Sequence, residues 1–336
     1  MYFPIIWGAP LVAFFLALIL SFFVLRFFPR LGLMDRPERY GHKRAPIPYP
    51  GGISIALAFT ISVLLFFELS WQLVGFLAGI VILTTVSFLD DRIGVHPILR
   101  LFLQIFLGIL LISTGTAIVY ISNPFGPTAF ELAPMFSALV TIAWIMGVMN
   151  TVNWLDGVPG VAAGTSTLAG VFLGILALTP YVNQPELALL AFLFAGANAG
   201  FFVFNIPPPK MLSGDTGAMF SGFVIAVLST IAGGKIATVF LVLALPLFDA
   251  ATVIFHRLRE HRSPLHGRDE KHLHDQLRKR GWSDRKIMLL FLTVSALLGL
   301  AALYLKTVGK LALLVAVGVF VFWISWQHHR QAVSSK

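Results

Sequence analysis

The most constraining feature of this sequence is a succession of eleven apolar runs, each close to the length needed to cross a bilayer. They lie at about 5–28, 52–69, 72–89, 98–121, 134–152, 161–179, 187–204, 218–232, 236–255, 287–306 and 311–327. Hydrocarbon offers backbone amides no partner, so a crossing segment of about 20 apolar residues has to be a helix, which satisfies its own hydrogen bonds. The composition agrees, since 57% of the 336 residues are hydrophobic and only 12% are charged, about half the share usual in soluble domains. The expectation is an all-α, polytopic integral membrane protein with about 11 transmembrane helices, built as one transmembrane domain over 1–336. Disordered, collagenous and disulfide-framework classes are excluded. The lack of cysteine also removes thiolate metal sites and a Cys nucleophile. The first run reads as a spanning helix and not as a cleaved signal, because no Lys or Arg precedes it and it exceeds a signal core in length.

Eleven crossings sort the connecting segments onto two sides. All but three of the 24 Lys and Arg fall on one side, in 26–50, 90–100, 205–217, 256–286 and the tail; the exceptions are Lys235, Lys306 and Lys310. Positive loops stay in the cytoplasm, so the N-terminus is expected outside and the C-terminus inside. The cytoplasmic loops are then about 29–51, 90–97, 153–160, 205–217 and 256–286. The acids of the outer face are Glu68, Glu131 and Glu186, so the whole formal charge of +9 belongs to the cytoplasmic face. Such a face suits anionic headgroups and anionic substrates, although ordinary topology also requires it.

Topology does not account for four acids at the inner ends of spans: Asp90 and Asp91 after ILTTVSFL, Asp156 after AWIMGVMNTVNWL, and Asp215 in LSGDTGAMF. An Asp at mid-membrane is unfavourable by roughly 2.5 to 3.5 kcal/mol, less at the interface. Each could be a solvated helix-end acid, but four in separate loops can converge at one depth. Oxygen ligands without thiolates point to Mg²⁺, with Mn²⁺ as the other candidate, and such a site does phosphoryl chemistry. Gly214-Asp215-Thr216-Gly217 sits where a loop becomes a helix, so helix-terminal amides can face an anion. Asn153 lies three residues before Asp156 and shares its helical face. The longest cytoplasmic loop carries His256, His261, His266, His272 and His274 among ten Lys and Arg. It reads as a lid that grips diphosphate or as a solvated basic segment; a zinc site from His272 and His274 lacks an evident third ligand. Asp249 falls within its helix and has no assigned role.

Together these segments resemble the polyprenyl-phosphate N-acetylhexosamine-1-phosphate transferase family. GLMDRPERYGHKRAPIPYPGG is similar to its Gly-Leu-x-Asp-x-Pro segment running on to Gly-Gly. LDDRIGVHPILRLFLQ matches its Asp-Asp motif with a later Arg and Gln, here Arg100 and Gln104. NTVNWLDGVPG matches Asn-x-x-Asp-Gly, FNIPPPKMLSGDTGAMF matches the Phe-Asn to Gly-Asp-x-Gly stretch, and FDAATVIFHRLREHRSPLHGRDEKHLHDQL matches the closing Asp, Arg-rich and His-x-His loop. The likeness covers nearly the whole chain, with the motifs in order and on the side that Lys and Arg assign to the cytoplasm.

The resemblance implies a multi-pass enzyme of a bacterial-type inner membrane that moves a sugar-1-phosphate from a UDP-N-acetylhexosamine to polyprenyl phosphate and releases UMP. The branch using UDP-N-acetylglucosamine looks nearest; the branch that transfers phospho-MurNAc-pentapeptide is the alternative. It implies Asp215 and Asp91 as Mg²⁺ ligands, catalytic roles for Asp90, Asp91, Asp156, His272 and His274, and substrate contacts from Lys43, Arg100, Asn153, Asn205 and Arg262. Partners would be the two substrates and membrane lipids, with a homodimer left open and no nucleic acid. Whether Asp90 acts as a base or as a nucleophile stays open. Three departures are visible: Pro159 stands where the family commonly has a second acid, Arg39 and His42 fall one residue early, and Asp275 follows His274 where a further His is common. Outside enzymes, a transporter or lipid-binding scaffold would use the acids as an ion path, but it would place them nearer the midplane and show an internal repeat.

Overall fold

The computed structural model describes residues 2–40, 44–123, 126, 129–180, 182–233, 236–259, 261 and 272–334. It is 78% helical, and every apolar run carries a helix. In chain order these are α1 (Tyr2–Phe27), α2 (Ile53–Phe66), α3 (Trp71–Ile93), α4 (Pro97–Ser113), α5 (Pro134–Leu155), α6 (Val161–Leu178), α7 (Pro185–Asn205), α8 (Gly214–Ile231), α9 (Ile236–Val242), α10 (Ala244–Arg259), the short α11 (Leu273–Lys279), α12 (Asp284–Tyr304) and α13 (Thr307–Ser334). Among the described residues seven helices are long and apolar enough to cross a membrane: α1, α3, α5, α6, α7, α8 and α12. The bent pair α9 and α10 makes an eighth when taken as one span. Shorter apolar helices are α2, α4 and the first part of α13.

Local chemistry sets the helix ends. Proline opens α4, α5 and α7 at a position whose amide has no helical partner anyway. Ser70 and Ser283 cap α3 and α12 by accepting from Leu73 N and Lys286 N. The fourth run is expected to 121, but α4 stops at Ser113. Gly115 turns the chain with φ +94°, and a two-stranded antiparallel hairpin follows, β1 (Tyr120–Ser122) with β2 (Ala129–Glu131), pairing Tyr120 with Glu131. Between α9 and α10 the axis bends by 81°. Pro246 explains the break, because it has no amide to give the carbonyl of Val242 and its ring crowds that carbonyl.

The bundle is organised around α8. Although its run is the shortest in the sequence, 89% of its spanning stretch is buried, against 28% for α1. It packs on α3 and α5, and Phe59, Phe76, Phe194 and Phe220 knit the surrounding helices through edge-on ring contacts at 5.8 to 6.1 Å. On the other flank α1 lies close against α7, with Gly200 under the Phe14 carbonyl: a Cβ there would stand 2.4 Å from that oxygen. Small residues at such crossings let backbones approach in a solvent that supplies no hydrophobic drive between helices. The outer surface carries Trp7, Phe15, Phe22, Leu65, Trp71, Phe102 and Phe106, all exposed. In water that surface would aggregate; facing lipid tails it is ordinary.

Candidate active site

The four acids picked out in the sequence meet in one cleft of about 2150 Å³. The last turn of α3 delivers Asp90 and Asp91, the C-cap of α5 is Asp156, and the first turn of α8 carries Asp215. Arg100, from the first turn of α4, stands between two of them. Its Nη1 is 2.6 Å from Asp215 Oδ2 and its Nε 2.5 Å from Asp90 Oδ2, while Nη2 donates to Asp90 Oδ1 at 2.8 Å. Asp90 Oδ1 also accepts from Val95 N at 2.6 Å, which folds the α3–α4 turn over the carboxylate.

Asp91 is held quite differently. Its Oδ1 accepts from Tyr49 Oη (2.5 Å) and Asp215 N (2.9 Å), and its Oδ2 from Thr216 N (2.9 Å) and Thr216 Oγ1 (2.6 Å). A carboxylate has about four acceptor sites, so all of them are in use. Asp91 therefore serves as the N-terminal cap of α8 from another helix and fixes where Asp215 points. The Pro-rich first loop is bound to the same turn: Gly51 N and Gly52 N donate to the carbonyls of Leu212 and Ser213 at 2.7 and 2.9 Å. Gly52 lies so close to Gly217 that a Cβ on it would sit 2.3 Å from Gly217 Cα, which explains a glycine pair at that place.

Asp156 Oδ1 accepts from Ser213 Oγ at 2.5 Å. Burial, followed by the carboxylates of Asp215 and Asp91, pushes its pKa up to about 8. His272 turns Nδ1 to Asp249 Oδ2 at 2.9 Å, and its ring lies parallel to that of His274, centroids 5.5 Å apart. His274 packs on Gly157, where a Cβ would stand 2.5 Å from Nε2. Arg278 donates to the Gly157 carbonyl (2.9 Å) and to Asp284 (2.7 Å). The His-x-His segment thus closes directly on the Asn-x-x-Asp-Gly turn, and Asn153 and Pro159 line the same cleft. The same cleft is also lined by apolar side chains, Leu101, Ile105 and Ile142 on the α4–α5 side and Leu247, Ala251 and Ile254 on α10.

Residues 73–233 match the family profile described as glycosyl transferase family 4, and this stretch contains Asp90, Asp91, Asn153, Asp156 and Asp215. Over this stretch the chain is similar to glycosyl transferase family 4. Its similarity to individual proteins extends well beyond that stretch. The chain is 28% identical over 306 residues, 88% of its own length and 84% of the other's, to a Bacillus subtilis (strain 168) protein named "Probable undecaprenyl-phosphate N-acetylglucosaminyl 1-phosphate transferase". It is 27% identical over 312 residues, 88% and 83% of the two chains, to the undecaprenyl-phosphate alpha-N-acetylglucosaminyl 1-phosphate transferase of Escherichia coli (strain K12). With the decaprenyl-phosphate N-acetylglucosaminephosphotransferase of Mycolicibacterium smegmatis the figure is 26% over 329 residues, 87% and 80%.

Asp90, Asp91, Arg100, Asn153, Asp156, Asp215, His272 and His274 all come together in the cleft. Asn205, expected at the substrate, lies behind the cleft wall instead. It is 1% exposed, and its amide is committed to the backbone, accepting from Gly160 N (2.7 Å) and donating to the Met211 carbonyl (2.8 Å). That bond ties the two acid-bearing loops to each other. Lys43 and Arg262 lie outside the described residues. Sequence reasoning missed Tyr49, Ser213, Thr216, Asp249 and Arg278 as partners of the named residues. Thr216 and Ser213 flank the Gly-Asp that drew attention, so proximity was a usable signal there. Tyr49 is 42 residues from Asp91, and nothing local announces it. The described residues hold no set of three or more His, Asp or Glu side chains arranged for one metal ion.

Proposed function

We propose that this chain is a glycosyl transferase of family 4 that transfers N-acetylglucosamine-1-phosphate from UDP-N-acetylglucosamine to polyprenyl phosphate, of the undecaprenyl type, and releases UMP. It would do so at the cytoplasmic face of a bacterial-type inner membrane that it crosses eleven times, with the N-terminus outside and the C-terminus inside. One observation carries the reading: the acid cluster and apolar side chains of α4, α5 and α10 line a single cleft, so a soluble anion and the phosphate of a lipid can meet there.

Mg²⁺ is the cofactor that this donor set suits. It needs only one or two carboxylates when phosphate oxygens and water complete its shell. Asp91, expected as a ligand beside Asp215, has its acceptor sites taken by Tyr49, Asp215 N and Thr216, so in this reading Asp90 takes its place, and Asp215 and Asp90 offer hard oxygens on either side of a position now spanned by a guanidinium. Bound there, the ion would screen the repulsion between lipid phosphate and diphosphate. In the transfer an oxygen of the lipid phosphate bonds to the β-phosphorus of the donor. The bond from that phosphorus to the bridging oxygen breaks, and the electron pair leaves on UMP. The chain supplies orientation and charge. Arg100 is within reach of both phosphates, Asp91 aims Asp215 through the first turn of α8, and His272, His274 and Arg278 border the donor side. Both Asp90 oxygens are engaged by Arg100 and Val95, an arrangement that suits orientation of Arg100 better than nucleophilic attack.

The test is a donor panel. Purified protein with undecaprenyl phosphate is given UDP-N-acetylglucosamine, UDP-N-acetylgalactosamine or UDP-MurNAc-pentapeptide, with Mg²⁺, Mn²⁺ or chelator, and UMP release is measured. Release with UDP-N-acetylglucosamine that stops on chelation is expected. A folded preparation inert to every donor would overturn the reaction class, and turnover of the muramoyl peptide alone would overturn the branch.

A further inference from the structure

Asp249 is not among the residues that line the cleft, yet its carboxylate is buried against one that does, His272. It sits in α10 three residues beyond Pro246, just past the break in the span, and is 7% exposed. Its two oxygens do separate work: Oδ1 accepts from Leu273 N at 2.8 Å, and Oδ2 lies 2.9 Å from His272 Nδ1. Leu273 opens α11, and the side chain of His272, the N-cap residue, makes no capping bond of its own. A carboxylate from α10 therefore holds the start of the His-x-His helix and one of its imidazoles together. The imidazole is further confined by the Trp154 ring at 6.1 Å and by the parallel His274 ring.

An ionised carboxylate accepts only, so the nitrogen facing it carries the hydrogen. His272 also lines the cleft, and with Nδ1 turned away toward α10 its Nε2 is the nitrogen left for the cleft. We propose that Asp249 is a positioning residue for phosphoryl transfer: it fixes the Nδ1–H form of His272 and aims Nε2 at the donor diphosphate. When the ring carries both protons, Nε2–H donates to the phosphate oxygen on which UMP departs, and Asp249 balances the positive charge across the ring. No atom of Asp249 touches substrate. The chemistry rests on the reaction proposed above; the pairing itself does not.

Asp249→Asn keeps the shape but offers one acceptor and one donor, so it cannot accept from both Leu273 N–H and His272 Nδ1–H. The expected result is a kcat for UMP release lowered by about 10² to 10⁴, with KM for UDP-N-acetylglucosamine and for undecaprenyl phosphate changed less than about threefold. In a His272→Gln background the same change should add nothing. An activity loss that persists undiminished in that background, or that lies in KM, overturns the proposal. Should Asp249→Asn fail to fold, a nitrogen-15 histidine spectrum of the intact protein decides, with the His272 signals assigned by their absence from His272→Gln. A hydrogen on Nδ1 supports the pairing and a hydrogen on Nε2 alone overturns it. Because the spectrum needs no turnover, an inactive protein sinks the transferase reading without touching this contact.

Discussion

At the scale of single residues, two aspartates that lie close together in the cleft should respond differently to the same substitution. Asp215→Asn removes a charge beside Arg100 and leaves the Asp91 contacts to its backbone intact. Turnover should fall by about 10³ while the melting temperature in detergent stays near that of the parent. Asp91→Asn puts an amide donor against one of the donors that now surround it, so it should lose activity and also about 1 to 3 kcal/mol of stability, read as a lowered Tm. Equal Tm values for the two variants would remove the capping role assigned to Asp91. Asp156 gives a pH signature. Its folded pKa of about 8 lies above the ordinary 3.8, so the folded state binds the proton more tightly than the unfolded one. Its stabilising effect is complete below about pH 4 and is lost as pH rises toward 8. Thermal unfolding in chelator at pH 6, 7 and 8 should show a decline that is shallower in Asp156→Asn. The acids were legible in the sequence because a carboxylate at the end of an apolar run is conspicuous. Tyr49, the partner of Asp91, was not, since it is a common residue type whose meaning comes from a contact 42 residues along the chain.

At the scale of elements, each apolar run read from hydropathy carries a helix, and among the described residues seven of these helices, or eight with the bent pair, are long and apolar enough to cross a membrane, against the eleven crossings expected. Hydropathy misjudged details that composition does not encode. The fourth run ended early, since a β-hairpin strand is as apolar as a helix end. The break between α9 and α10 is written in Pro246 alone. Helix contacts are a further layer that hydropathy does not see. Replacing Gly200 with Leu drives a side chain into the Phe14 carbonyl and should separate α1 from α7. Overpacking of this kind is worth about 1 to 3 kcal/mol. The expected outcome is a lower Tm and a smaller monodisperse fraction on size exclusion, with the cleft chemistry of the folded remainder preserved. A parent-like Tm would show that α1 does not need its close seat on α7.

At the scale of the whole molecule, the orientation proposed from charge can be checked directly, because the chain contains no cysteine and any single introduced thiol is unique. Lys306→Cys should react with a membrane-impermeant maleimide in intact spheroplasts, and Arg36→Cys only after the membrane is opened. The reverse pattern would invert the topology and move the cleft to the outer face. The orientation also bears on how the site comes into being. Asp91 binds Thr216 across 125 residues of sequence, and at about 5 to 20 residues per second a ribosome needs roughly 6 to 25 s to supply the second half of that contact. Through that interval the Asp90–Asp91 pair has no helix α8 to cap. On the proposed orientation, its place at the very end of α3, within reach of cytoplasmic water, lets two charges wait hydrated where a turn or two deeper they would resist insertion. The order of synthesis, and not only the chemistry of the finished cleft, therefore favours keeping these acids at the membrane surface.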